Sequence, residues 1–145
     1  MDTENYPRLY LYRRIVQAKS FIDCHYAERI DLSQIADEAF FSKFHFTRLF
    51  KQAYGKTPHH YLTQVRIDKA RIFLSQGKSV TDVCFQVGFD SSTSFTALFK
   101  KHTGLSPSAY QSRELEKQAL FKINPLYAVP NCFAERYGWK NSNIR

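Results

Sequence analysis

The chain has 145 residues, 43% hydrophobic and 16% aromatic, which is enough to build a core and excludes a disordered chain. Its formal charge of +8 favours a polyanionic partner, and no apolar run approaches membrane-spanning length, so no membrane partner is expected. Three cysteines without metal-ligand or disulfide spacing, and a polar start (Met1-Asp2-Thr3-Glu4) unlike a secretory signal, point to a soluble cytoplasmic protein.

Residues 1–8 read as a frayed lead-in. From Leu9 to about Tyr26 there is no Pro or Gly, and Tyr12, Ile15, Val16, Ala18, Phe21 and Ile22 predict the buried face of a first helix. Asp31 and Gln34 have the spacing of a capping box before a short helix burying Leu32, Ile35, Ala36 and Ala39. Ser42 caps the next helix, which runs to about Tyr54 with Phe46, Leu49, Phe50 and Ala53 inward and Gly55 as its stop. Thr57-Pro58 opens a longer helix reaching Gln76, ended by Gly77. Ser79 starts another short helix, burying Val80, Val83, Cys84 and Val87 before Gly88. Asp90 or Ser91 caps its partner, which turns Phe95, Leu98 and Phe99 inward and stops at Gly104. Ser106-Pro107 begins a seventh helix. No segment alternates long enough to be a strand, so the predicted fold is all-α with about seven helices. In residues 113–145, Pro125, Pro130 and Gly138 interrupt, and Phe121, Leu126, Tyr127, Phe133, Tyr137 and Trp139 keep no helical period. An irregular C-terminal tail is expected there, either draped on the core or ordered by a partner.

Much of this chain is written twice. Phe95, Phe99, Gly104, Pro107 and Tyr110 follow Phe46, Phe50, Gly55, Pro58 and Tyr61 by a constant 49 residues. Upstream, Val83 and Phe89 follow Ile35 and Phe41 by 48, so the second turn is one residue longer. Each copy reads as a helix-turn-helix, in which the second helix enters the major groove of DNA. Acids are absent from Phe40 to Ile67, where Lys43, Arg48, Lys51, Lys56 and Arg66 fall, and again from Ser91 to Arg113, where Lys100, Lys101 and Arg113 fall. Removing the buried positions leaves Lys43, Phe44, Thr47, Arg48 and Lys51 as one outer stripe on the first candidate recognition helix. Arg48 has the fork geometry for guanine, Thr47 and Phe44 suit a thymine methyl, and Lys43 and Lys51 suit phosphates. The same stripe 49 residues on is Ser92, Thr93, Thr96, Ala97 and Lys100, with an alanine where the first copy has arginine. Base-edge energy is therefore expected mainly from the first copy, with phosphate contacts and shape-sensitive binding from the second. Pro58 to Gln76 would span roughly 28 Å as helix, compatible with two recognition helices about one duplex turn apart on a monomer.

The doubled motif resembles the DNA-binding domain of AraC/XylS-family transcriptional regulators over about residues 9–112. The matching residues run Ile35-Ala36, Phe41-Ser42, Phe46, Arg48-Leu49-Phe50-Lys51, Gly55, Pro58, Tyr61-Leu62, Arg66 and Ala70 in the first half. In the second they run Val83, Val87-Gly88-Phe89, Ser94-Phe95, Phe99-Lys100-Lys101, Gly104, Pro107 and Tyr110. The resemblance implies that the third and sixth helices, Lys43–Lys51 and Ser92–Lys100, read promoter DNA. It also implies an activator that touches RNA polymerase, without a cofactor. The organisation expected is a first helix-turn-helix at about 31–55, a linker helix at about 58–76, a second helix-turn-helix at about 79–104, and a tail at 113–145. A separate effector domain does not fit, so the chain is expected to be a stand-alone member.

The same residues admit other readings. A non-specific architectural DNA-binding protein would also be small and basic, and sequence discrimination separates the two. An enzyme of the cysteine alkyl-acceptor kind needs an activated thiol, but Cys132 has no basic neighbour closer in sequence than Arg136. His59-His60 point apart on a helix and Cys24-His25 have no further ligand nearby, so no metal site is expected. Phe46, Phe50, Phe95 and Phe99 are read as core rather than as a platform for single strands.

Overall fold

The computed structural model describes residues 6–38, 42–125 and 129–138, and every regular element among them is helical. Helices α1 (Tyr6–His25), α2 (Leu32–Glu38) and α3 (Lys43–Tyr54) precede the long α4 (Pro58–Ser75). Then come α5 (Val80–Gln86), α6 (Ser92–Thr103), α7 (Pro107–Ile123) and the short α8 (Asn131–Arg136). Ser42, Thr57, Ser79, Ser91 and Ser106 each accept the N–H three residues on, satisfying a first-turn donor that the helix itself cannot pair. Each such cap contributes about 1 kcal/mol. Of the two candidate caps before α6, Ser91 takes the role, and Asp90 instead pairs with Arg29 at 3.2 Å. Asp31 accepts the Ser33 N–H at 2.8 Å. The Gln34 side chain, Ala39 and Phe41, together with Leu126, Tyr127 and Trp139 of the tail, lie outside the described residues.

Two apolar cores result, and α4 is a wall of both. The first gathers Ile15, Ala18 and Ile22 of α1, Ala36 of α2, Phe46 and Phe50 of α3 and Leu62 of α4. The second gathers Ile67, Ala70 and Leu74 of α4, Val83 and Cys84 of α5, Val87 and Phe89 of the turn, and Phe95 and Phe99 of α6. Ile67, Ala70 and Leu74 follow Ile15, Ala18 and Ile22 by a constant 52 residues, so the repeated unit has three helices rather than two. In each unit the next helix supplies a lid: Tyr61 of α4 meets Phe50 at 5.7 Å, and Tyr110 of α7 meets Phe99 at 5.4 Å, both edge-on. Full burial of each phenylalanine contributes about 1.5–3 kcal/mol.

Both lid tyrosines are fixed from outside by a cation. Tyr61 donates to Asp23 at 2.6 Å, Asp23 accepts Lys19 at 2.7 Å, and Lys19 lies over the Tyr61 ring. The Asp23 carboxylate, then Tyr61, hold the Lys19 ammonium above its usual range, while burial and then Asp23 push the Tyr61 phenol up. Around Tyr110 the same work falls to Arg71, whose Nε donates to the phenol at 3.3 Å.

Four sequence expectations are corrected, the first being the start of α1, which lies at Tyr6, inside the stretch expected as a frayed lead-in. Ala53 is exposed, and Tyr54 takes the inward place, its ring 4.8 Å from Phe50, because α3 leans its 46-50-54 ridge onto the core. Among the described side chains of α1, Ile15, Ala18 and Ile22 are the buried ones, while Tyr12, Val16 and Phe21 are exposed, because α3 and α4 cover one side of that helix. Within the stretch from residue 113, α7 continues to Ile123 and α8 forms a further short helix. Gln118 of α7 donates to the Ser75 carbonyl at 2.8 Å, so that extension is stitched to the end of α4.

Candidate nucleic-acid interface

The α3 stripe is what remains when Phe46 and Phe50 turn inward. Ser42 starts the helix and Gly55, at φ 72°, ends it, its N–H bonded to the Lys51 carbonyl. Lys43, Phe44, Thr47, Arg48 and Lys51 then line a single open concavity of about 790 Å³, together with Thr57. Phe44 is 89% exposed, a costly position for an aromatic ring unless something covers it. Thr57, expected from the sequence as a helix start, is a lining residue that the outer stripe of α3 does not include. It is the N-cap of α4, so the positive end of that helix borders the concavity, an arrangement suited to a phosphate. The Thr-Pro start of α4 was the available signal.

On α6, Phe95 and Phe99 take the buried face, and Ser92, Thr93, Thr96, Ala97 and Lys100 are all exposed. None of these five lines the α3 concavity, so the two stripes are separate surfaces. The 18-residue α4 between the units is roughly 27 Å long at helical rise. Chemically, α3 offers one forked cation, two ammonium groups, a hydroxyl and a ring, whereas α6 offers three hydroxyls, a methyl and one ammonium.

The ten stripe side chains share a negative property. Among the described residues, none of them makes a hydrogen bond, an ion pair or a ring contact. Other cations are engaged: Lys19 with Asp23, Arg29 with Asp90, Arg71 with Asp68 and Lys117 with Glu114. Arg66, counted with the basic window in the sequence, is likewise withdrawn. It is half-buried on α4 and donates to the carbonyls of Tyr26 and Glu28.

Of the remaining chemistry-bearing residues, Cys24 and Cys132 are exposed, and two others have structural surroundings. His25 stacks on Phe21 at 4.3 Å, and burial raises the Cys84 thiol. Among the described residues no three His, Cys, Asp or Glu side chains are grouped to hold a metal, and no helix is long and apolar enough to cross a membrane.

A family model described as a helix-turn-helix domain matches residues 35–113. The uncharacterized HTH-type transcriptional regulator YdeC of Bacillus subtilis is 35% identical over 99 residues, covering 68% of this chain and 34% of YdeC. The HTH-type transcriptional activator RhaS of Citrobacter koseri is 36% identical over 95 residues, covering 65% and 34%. The chain thus spans about a third of the length of these two relatives. Among solved structures, the C-terminal domain of AraT, a response regulator from Geobacillus stearothermophilus, superposes with a TM-score of 0.65 at 28% identity, covering 69% of this chain and 84% of that one. The DNA-binding domain of AdpA, a global transcriptional factor solved in complex with a target DNA, gives 0.65 at 26% identity, covering 77% and 96%.

Proposed function

Since the chain belongs to the AraC-type helix-turn-helix family, we propose that it is a sequence-specific transcriptional regulator gripping double-stranded promoter DNA as a monomer. On this reading α3 and α6 enter two successive major grooves. The observation that carries it is the α3 concavity, where Arg48 stands unengaged between Lys43 and Lys51. Arg48 forks onto guanine O6 and N7, Phe44 and Thr47 meet a thymine methyl, and Lys43, Lys51 and the start of α4 hold phosphates. Ser92, Thr93, Thr96 and Ala97 supply short-range and shape-sensitive contacts on α6, with Lys100 on a phosphate. A single chain suffices because both units are built on α4. The activator name of RhaS supports an activating role, for which contact with RNA polymerase is the route this reading assigns.

Selection of bound duplexes from a randomised pool of about 30 base pairs, near physiological salt, tests the reading. It expects an asymmetric site with two unequal boxes about one turn apart. Binding without enrichment that simply fades as salt rises would replace it with the architectural alternative.

A further inference from the structure

The two units touch at a second place besides α4. The α1–α2 turn of the first unit lies against the α5–α6 turn of the second, the turn that leads directly into α6. Arg66 sits at this joint. Its Nε donates to the Tyr26 carbonyl at 2.7 Å and its Nη2 to the Glu28 carbonyl at 3.0 Å. Its guanidinium carbon lies 5.6 Å from the centre of the Phe89 ring, so one side chain binds the backbone of one unit and the core aromatic of the other. Gly88 brings the backbones close: a Cβ built there would stand 2.9 Å from both the Tyr26 and Ala27 carbonyl oxygens. Arg29 and Asp90 add an ion pair across the same seam. Tyr26 packs against both cores, with Lys69 of α4 over its ring.

The α4 side chains buried in each core, Leu62 in one and Ile67, Ala70 and Leu74 in the other, hold both units to the shared helix, and contacts away from its axis add leverage against rotation of one unit relative to the other. The joint supplies such contacts, immediately before the recognition helix they would steady. A shift of α6 by about 3.4 Å relative to α3 is one base-pair step, so small freedom there would change which spacings fit. We propose that this Arg66-centred joint sets the box spacing the protein accepts. Arg66 is a positioning residue that reads no base and selects DNA through the placement of α6. The inference rests on the two-groove reading above.

The test uses duplexes carrying the two selected boxes at the preferred spacing and at one base pair shorter and longer, with a duplex bearing only the α3 box as control. In wild type, affinity falls at both altered spacings. Arg66→Gln, which loses the two-carbonyl fork, shrinks the ratio of preferred to altered spacing by about fivefold while single-box affinity stays unchanged. Arg66→Lys keeps the charge and stem but not the fork, so it gives an intermediate profile, and it carries the test if the glutamine variant melts below assay temperature. Wild-type spacing ratios in whichever variant is folded overturn the joint's role and leave the DNA reading standing. A wild type indifferent to box sequence overturns both.

Discussion

Gly88 and Gly55 offer a matched pair of perturbations. Both have positive φ, 93° and 72°, and both end the helix or turn of a helix-turn-helix. An added Cβ at Gly55 meets nothing within 4 Å, whereas at Gly88 it meets two backbone carbonyl oxygens at 2.9 Å. Left-handed backbone costs a non-glycine residue about 1–2 kcal/mol, and reduced freedom of the unfolded chain returns about 0.4–1 kcal/mol. Gly55→Ala should therefore lose about 1 kcal/mol net, or about 3 °C in Tm for a chain of this size. Gly88→Ala carries the same backbone cost, and the obstructing atoms belong to a second segment of main chain that must move. Overpacking of that kind adds about 1–3 kcal/mol, giving about 2–4 kcal/mol in all and about 6–12 °C in Tm. Thermal melts followed by far-ultraviolet circular dichroism measure both. Equal losses at the two sites would show that the seam between the units is not closely packed, and would remove the physical basis of the joint.

Further predictions address the DNA surface and the Tyr61 lid. Arg48→Ala should weaken binding to the selected site by about 1–3 kcal/mol, relax preference at one base position and leave the melt nearly unchanged; an equal loss on scrambled DNA would reduce Arg48 to a phosphate contact. Lys51→Ala and Lys100→Ala should weaken binding to all sequences and flatten the log-affinity against log-salt slope by about one each, and an unchanged slope would place the residue off the interface. Lys19 and Tyr61 both bind their protons more tightly folded than unfolded. Their stabilisation is therefore full below the unfolded values near about 10 and is lost as pH rises beyond them. Tm should hold from neutral pH to about 9 and fall above about 10, with a shallower fall in Tyr61→Phe; an identical fall in that variant would exclude the Tyr61–Asp23 contact as a cause.

Much of the molecule was legible because its signals are local. A Ser or Thr just ahead of a helical run caps it through a contact only three residues long, and five of these mark the starts of α3 to α7. The pairs Phe46/Phe50 and Phe95/Phe99 are buried because i, i+4 residues share a helix face. Each outer stripe then follows as the remainder of its helix. The packing of one helix on another is not local. Tyr54 rather than Ala53 turns inward, and Tyr12, Val16 and Phe21 stay out, because neighbouring helices cover only one ridge of a wide apolar surface.

The sequence by itself determined the all-helical class, the doubled unit, the starts of α3 to α7 and the outer stripes of α3 and α6, since each depends on propensity and period within a few residues. Only the tertiary structure decided that α4 is a common wall rather than a spacer, and that the α1–α2 turn meets Gly88. It alone withdrew Arg66 from the basic surface. Those outcomes join residues up to 62 positions apart, Tyr26 to Gly88, and no local pattern specifies such a contact; the shared burial of both units on α4 does.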